Sequence, residues 1–276
     1  MSKRYERRFE KLKTENVKAF MPFTVLGWPN KEKSLAIIKT MIESGASALE
    51  LGFPFSDPVA DGPVIAKAAF DTLESGFKTA DAFFLISEVR KIDGEIPIGI
   101  LVYYNNILAF GVEAFFQQAK VAGIDGVLIA DLPVESAEEV LPIAKANDVD
   151  LIFIVSPVTT EERLANIATN AGGFIYLVSR LGVTGTDKSA NNLSNLKSLI
   201  GRLKSQSPLP ICAGFGVSNK QTATALLEVG VDGVIVGSRV IEVVNQSGDQ
   251  FSVKLAELFK DLAEACTEKL ATVSTD

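Results

Sequence analysis

The sequence predicts an α/β chain folded as a (β/α)8 barrel of the TIM type, with an N-terminal lid helix and extra short helices. Eight short apolar runs alternate along the 276 residues with polar turns and helical patterns, as repeated strand and helix units require. The phrases AGIDGVLIAD (122–131) and VGVDGVIVGS (229–238) are near copies, so helix end, turn and strand recur as one unit. The turn after the first run, LGWPN, holds a single glycine, whereas a doubly wound open sheet calls for a glycine-rich turn there. Residues 1–276 therefore read as one barrel domain, with the last ~10 residues expected to be disordered.

Taken in order, the opening MSKRYERRFEKLKTENVK places Tyr5, Phe9 and Leu12 at helical spacing and is expected to form an amphipathic helix that lids one end of the domain. Its charges and three glutamates are unlike a signal or transit peptide. The predicted strands are MPFTVLG (21–27), ALELG (48–52), PIGILVYY (97–104), GVLIAD (126–131), LIFIVS (151–156), FIYLVS (174–179), PICAGFG (210–216) and GVIVGS (233–238). Between them lie helical stretches such as DAFFLISEVRKI, VEAFFQQAKVAG, AEEVLPIAKAN, EERLANIATNAG and KQTATALLEVG, several of which end in Gly or Asn as helix C-termini do. After the last strand, SRVIEVVNQ reads as an extra short helix, broken by SGD from a longer final helix around FSVKLAELFKDLAEAC.

Composition narrows the chemistry. A net charge of -7 opposes a role on nucleic acid or anionic lipid, which demand a basic face. No apolar run approaches the ~20 residues of a membrane span, and a cytoplasmic location is expected. Histidine is absent, which removes Ser-His-Asp and Cys-His systems and most zinc sites, so no metal is expected. Proton transfer falls to carboxylates, tyrosine or lysine. Cys212 and Cys266 read as two buried thiols in a reducing compartment.

In this architecture chemistry sits at the C-terminal ends of the strands. Asp125 and Asp232 precede their strands and are expected to be structural turn residues, whereas Glu50, Asp57, Asp61 and Asp131 fall at or beyond strand ends. If Leu49 and Leu51 face the helices, strand alternation turns Glu50 into the barrel interior. Burial there disfavours the ionised form, and no predicted strand interior carries a basic residue to pair with it. A raised pKa suits a group that serves as both acid and base. Asp61 lies in a loop stiffened by Pro54, Pro58 and Pro63, where it either accepts a hydrogen bond from a substrate donor or caps the helix beginning near Val64. Asp57 reads as a loop or partner-contact residue, and Asp131 as orienting the next helix.

The late glycines Gly182, Gly185, Gly214, Gly216 and Gly237, the last with Ser238, suggest a phosphate cradle of backbone N–H groups after the seventh and eighth strands. The loop RLGVTGTDKSANN (180–192) is expected to be a mobile lid. Tyr176 shares a strand face with Phe174 and Val178 and is expected to point inward toward the ligand.

The motifs ELGFPFSDPVADGP, ADLPVE, YLVSRLGVTG, AGFGVS and GVIVGS follow one another in an order that resembles the tryptophan synthase alpha subunit over nearly the whole chain. The first is long and specific to that family; the last two are shared with other phosphate-binding barrels. The resemblance implies cofactor-free retro-aldol cleavage of indole-3-glycerol phosphate to indole and glyceraldehyde 3-phosphate. It implies Glu50 as general acid and base, and Asp61 as the group that holds the indole N–H and stabilises the indoleninium cation. Phe23, Leu101, Leu128, Ile154, Tyr176 and Phe215 would line the indole pocket. Gly185, Gly216, Gly237 and Ser238 would hold the phosphate, and Thr184 would belong to the closing loop and contact Asp61. The implied partner is a beta subunit carrying pyridoxal phosphate, in an alpha2-beta2 heterotetramer, with the loop from Pro54 to Asp57 near the interface. Trp28 departs from the family, where Asp often precedes the proline, and bears on the first loop rather than on the chemistry.

Rival readings lack residues here. Indole-glycerol-phosphate synthase and Schiff-base aldolases rely on a strand lysine, and the related isomerases on a first-strand acid; the strands above contain neither. A catalytically weak subunit that activates its partner and a stand-alone indole-releasing lyase are the remaining alternatives.

Overall fold

Parallel strands covered on both faces need continuous apolar runs, and those runs become the strands of a barrel. The computed structural model describes residues 2–178, 189–214 and 216–268, the side chains of 189–192 excepted. Its strands are β1 (Ala19–Val25), β2 (Leu49–Gly52), β3 (Ile98–Val102), β4 (Gly126–Ile129), β5 (Asp150–Ile152), β6 (Ile154–Val155), β7 (Ile175–Val178), β8 (Ile211–Gly214) and β9 (Gly233–Val236). All pairs are parallel and the order is β5-β4-β3-β2-β1-β9-β8-β7-β6. The single run LIFIVS is interrupted at Phe153: β5 pairs with β4 and β6 with β7. Eight expected strands thus appear as nine segments, the fifth split between the two ends of the sheet.

The helices are α1 (Lys3–Glu15), α2 (Lys31–Glu43), α3 (Pro63–Glu74), α4 (Thr79–Ile92), α5 (Tyr104–Phe110), α6 (Val112–Ala122), α7 (Val140–Ala146), α8 (Glu161–Asn170), α9 (Ser189–Gln206), α10 (Lys220–Glu228), α11 (Ser238–Ser247) and α12 (Phe251–Thr267). Two local expectations change. Tyr104, read as the end of a strand, opens α5. Asp131 accepts a hydrogen bond from the Tyr104 N–H at 2.7 Å, so it caps the helix of the preceding unit rather than orienting the next one. The reason is lateral: β3 and β4 are neighbours, and the loop after one reaches the helix start after the other.

The N-terminal end of the barrel is closed as the opening helix suggests. Ser2 caps α1 and Asn16 ends it in the left-handed conformation. Tyr5 is fully buried and meets Phe174 edge-on at 5.7 Å. A Cβ on Gly99 would stand 2.6 Å from the Tyr5 hydroxyl, so the bare backbone of β3 makes room for this ring.

Both copies of the repeated phrase perform one structural task at this end. In the first, Gly123 turns with φ +84° and Asp125 accepts from the Ile98 N–H at 2.9 Å and from Arg90 Nη2 at 3.0 Å. Its other oxygen takes the Ser2 hydroxyl at 2.7 Å and Arg4 Nη1 at 3.1 Å, which fastens α1 to the barrel. In the second, Gly230 turns with φ +104° and Asp232 accepts from the Ile211 N–H at 3.1 Å and Lys204 Nζ at 3.1 Å. Each aspartate ties its own turn to the start of the preceding strand, as the reading of turn residues expects. Among the described residues no helix is long and apolar enough to cross a membrane.

Candidate functional site

Glu50 lies on β2 between Phe23 of β1 and Gly99 of β3 in the hydrogen-bond register. Its flanking leucines are fully buried and Glu50 itself is 4% exposed. The side chain faces the lumen, where its charge is felt by Tyr5, Tyr176 and Cys212. Among the described residues no salt bridge or hydrogen bond holds the carboxyl, and no arginine pairs with it as a structural role would require. Burial first, and then the nearby charge of Asp61, push its pKa from the ordinary 4.5 to about 8.

Asp61 stands at the mouth, in the loop between β2 and α3. It does not cap that helix: the N-cap is Gly62, Pro63 opens the first turn, and no side chain caps it. Asp61 Oδ2 instead accepts from the Tyr103 hydroxyl at 3.0 Å. Burial raises its pKa from 3.8 to about 6, against the lowering effect of that hydrogen bond. Two interacting carboxyls with different environments therefore ionise apart. Near pH 7 Asp61 is an anion while Glu50 keeps its proton, an acid beside a fixed negative charge.

The apolar wall is built by register. Gly52, Leu101 and Leu128 line up across β2, β3 and β4, and Ile154, Tyr176 and Cys212 across β6, β7 and β8. Phe23, Leu101, Leu128 and Tyr176 are buried and Ile154 is half-buried. Phe23 is wedged between neighbouring strands: a Cβ on Gly52 would fall 2.7 Å from its ring and one on Gly237 3.2 Å. A side chain on Gly214 would collide with the Tyr176 hydroxyl. Thus Phe23 bridges from the strand of Glu50 to the start of α11.

Of the predicted glycine cradle, Gly237 and Ser238 lie at that start. Gly237 is the N-cap of α11 with no side-chain cap, and Ser238 is its first residue; both are half-buried. A ten-residue helix pointing its N-terminus at the strand mouths offers backbone N–H groups and the positive end of its dipole. Gly216 has φ +96°, which only glycine adopts freely. Phe215, Thr184, Gly182 and Gly185 lie outside the described residues, as do 180–188 of the expected lid over 180–192, whose last four residues instead open α9; of the last ~10 residues, expected to be disordered, 269–276 also lie outside them.

Tyr103 is the residue that pattern reading missed. It sits in the run PIGILVYY at the C-terminal end of its strand, the position where barrels keep their chemistry, but was absorbed there as one more apolar strand residue. A crevice of about 830 Å³ lies at the opposite end, beside Arg4, Lys120, Asp125 and Asp148. There Arg4 pairs with Asp125, part of the clasp on α1, and Lys120 with Asp148.

Comparison with known proteins finds related chains and a shared fold. The family model described as tryptophan synthase alpha chain matches residues 9–270. A tryptophan synthase alpha chain of Methanothermobacter thermautotrophicus is 47% identical over 227 residues, 82% of this chain and 83% of the relative. One from Helicobacter pylori is 43% identical over 244 residues, covering 88% and 92%. Among solved structures, tryptophan synthase subunit alpha from Legionella pneumophila superposes with a TM-score of 0.87 at 33% identity, over 96% of this chain and 98% of the other. A chain of Mycobacterium tuberculosis tryptophan synthase superposes with 0.87 at 30% identity, over 98% and 100%.

Proposed function

Since this chain belongs to the family of tryptophan synthase alpha chains, lyases of tryptophan biosynthesis that cleave indole-3-glycerol phosphate, we propose that Glu50 and Asp61 carry that reaction. The observation that supports this most is the pair itself, a lumen carboxyl with a pKa near 8 beside one near 6. Glu50 delivers its proton to indole C3, which makes the ring an indoleninium cation. The Asp61 anion takes the indole N–H and stabilises the positive charge as it forms. Glu50, now a carboxylate, accepts the proton of the glycerol hydroxyl. The oxygen electrons close a carbonyl as the carbon–carbon bond breaks, and that bond's electrons return to the ring. Indole keeps the first proton, Glu50 regains one, and glyceraldehyde 3-phosphate leaves.

Phe23, Leu101, Leu128, Ile154, Tyr176 and Phe215 are assigned to the indole ring. Gly216, Gly237 and Ser238, with Gly185, are assigned to the phosphate, and Thr184 to loop closure against Asp61. No cofactor of this chain enters any step. The family implies a beta subunit as partner. Our reading assigns it the pyridoxal phosphate, an alpha2-beta2 assembly and a contact near Pro54 to Asp57, where Val59 exposes an apolar side chain at the rim. Release of indole from indole-3-glycerol phosphate by the purified chain, with and without beta subunit, tests the activity. Asp61→Asn is expected to slow cleavage at least ~100-fold, because one transition-state contact of this kind contributes ~3 kcal/mol. A near-normal rate would remove Asp61 from the mechanism.

A further inference from the structure

We propose that Tyr103 is a positioning residue of this site, holding Asp61 so that one carboxylate oxygen is spent on the protein and the other faces the ligand. The inference rests on the assignment of Asp61 above and adds a residue to it.

The geometry determines the direction of the proton. The Ala60 N–H donates to the Tyr103 hydroxyl oxygen at 3.1 Å. A phenol has one proton to give, so with its oxygen accepting from Ala60 that proton points to Asp61 Oδ2, 3.0 Å away. Consecutive residues of the loop are thus held by one hydroxyl, through the backbone of one and the side chain of the other. The ring adds a third hold, stacked on Phe55 of the same loop at 5.0 Å between centroids and 22° between planes. Tyr103 is buried and directly follows β3, so the loop is referred to a strand of the barrel. No described donor reaches Asp61 Oδ1, which leaves that oxygen for an N–H of the substrate.

Tyr103→Phe keeps the stack and removes only the hydroxyl. A hydrogen bond to a charged group is worth enough that its loss should lower kcat about 10-fold. Because donation to the carboxylate favours its charged form, Asp61 should titrate at higher pH in the variant, read by ¹³C NMR of labelled aspartate without substrate. The acidic limb of the rate profile should move the same way. In an Asp61→Asn background the substitution should add no further loss. An unmoved Asp61 titration, or a full additional loss in that background, overturns the proposal. The titration is independent of turnover, so it separates this failure from that of the reaction, which would show as a wild-type chain releasing no indole. Should Tyr103→Phe not fold, 3-fluorotyrosine at position 103, a stronger donor, should move the Asp61 titration to lower pH, and no movement counts against the proposal.

Discussion

Asp125 and Glu50 are carboxyls of nearly equal burial, 2% and 4% exposed, one in a turn at the N-terminal end of the barrel and the other in its lumen. Asp125 receives two arginines, a serine hydroxyl and a backbone N–H. Glu50 receives no donor from any described residue, and its pKa climbs accordingly. The same chemical group is a clasp where its lone pairs are filled, and where they are left open we assign it the role of reagent. Burial alone would have classed the two together; the count of donors separates them.

Substitution at each carboxyl should break different properties. Glu50→Gln is expected to reduce indole release by ~10³-fold or more, the range for a group acting as both acid and base, with an unfolding midpoint no lower than that of the natural chain. Retained turnover would erase the contrast by making Glu50 structural. Asp125→Ala should do the reverse. Leaving Arg90 and the Ile98 N–H buried without their acceptor should cost ~3 kcal/mol in urea unfolding, while the folded fraction cleaves substrate at close to the natural rate. If activity falls and stability holds, the clasp has been misassigned.

The pH dependence sharpens the comparison with the smallest effect. Asp61 works ionised, so activity should be lost as pH falls through about 6, and Glu50 works protonated, so it should be lost as pH rises through about 8. At each of these values kcat/KM should be ~2-fold below its plateau, since half of the group is then in the wrong state. A profile flat to pH 10 would show that the proton on Glu50 is not the one transferred. Asp125→Ala should leave both limbs in place.

Much of this was legible in one dimension. Alternation along ALELG was enough to turn Glu50 inward, and the near copies around Asp125 and Asp232 were enough to mark both as turn residues, because each inference needs only neighbours in the chain. For Asp61 both helix cap and ligand contact fit the same loop; the cap reading is removed because Gly62 takes that position, and one carboxylate oxygen is claimed by Tyr103, 42 residues away. Asp131 differs from expectation for the same reason, its acceptor serving the helix after a neighbouring strand.

The sequence by itself determined the barrel, the inward carboxyl and the structural aspartates, since period, turn chemistry and the absence of a basic partner are properties of composition and local order. Only the tertiary structure decided where the fifth strand breaks at Phe153, why Gly99 must be bare beneath Tyr5, and which donor holds Asp61. Those depend on which strands lie side by side and how rings fill the space between them, and lateral distances of that kind are not encoded at any fixed spacing along the chain.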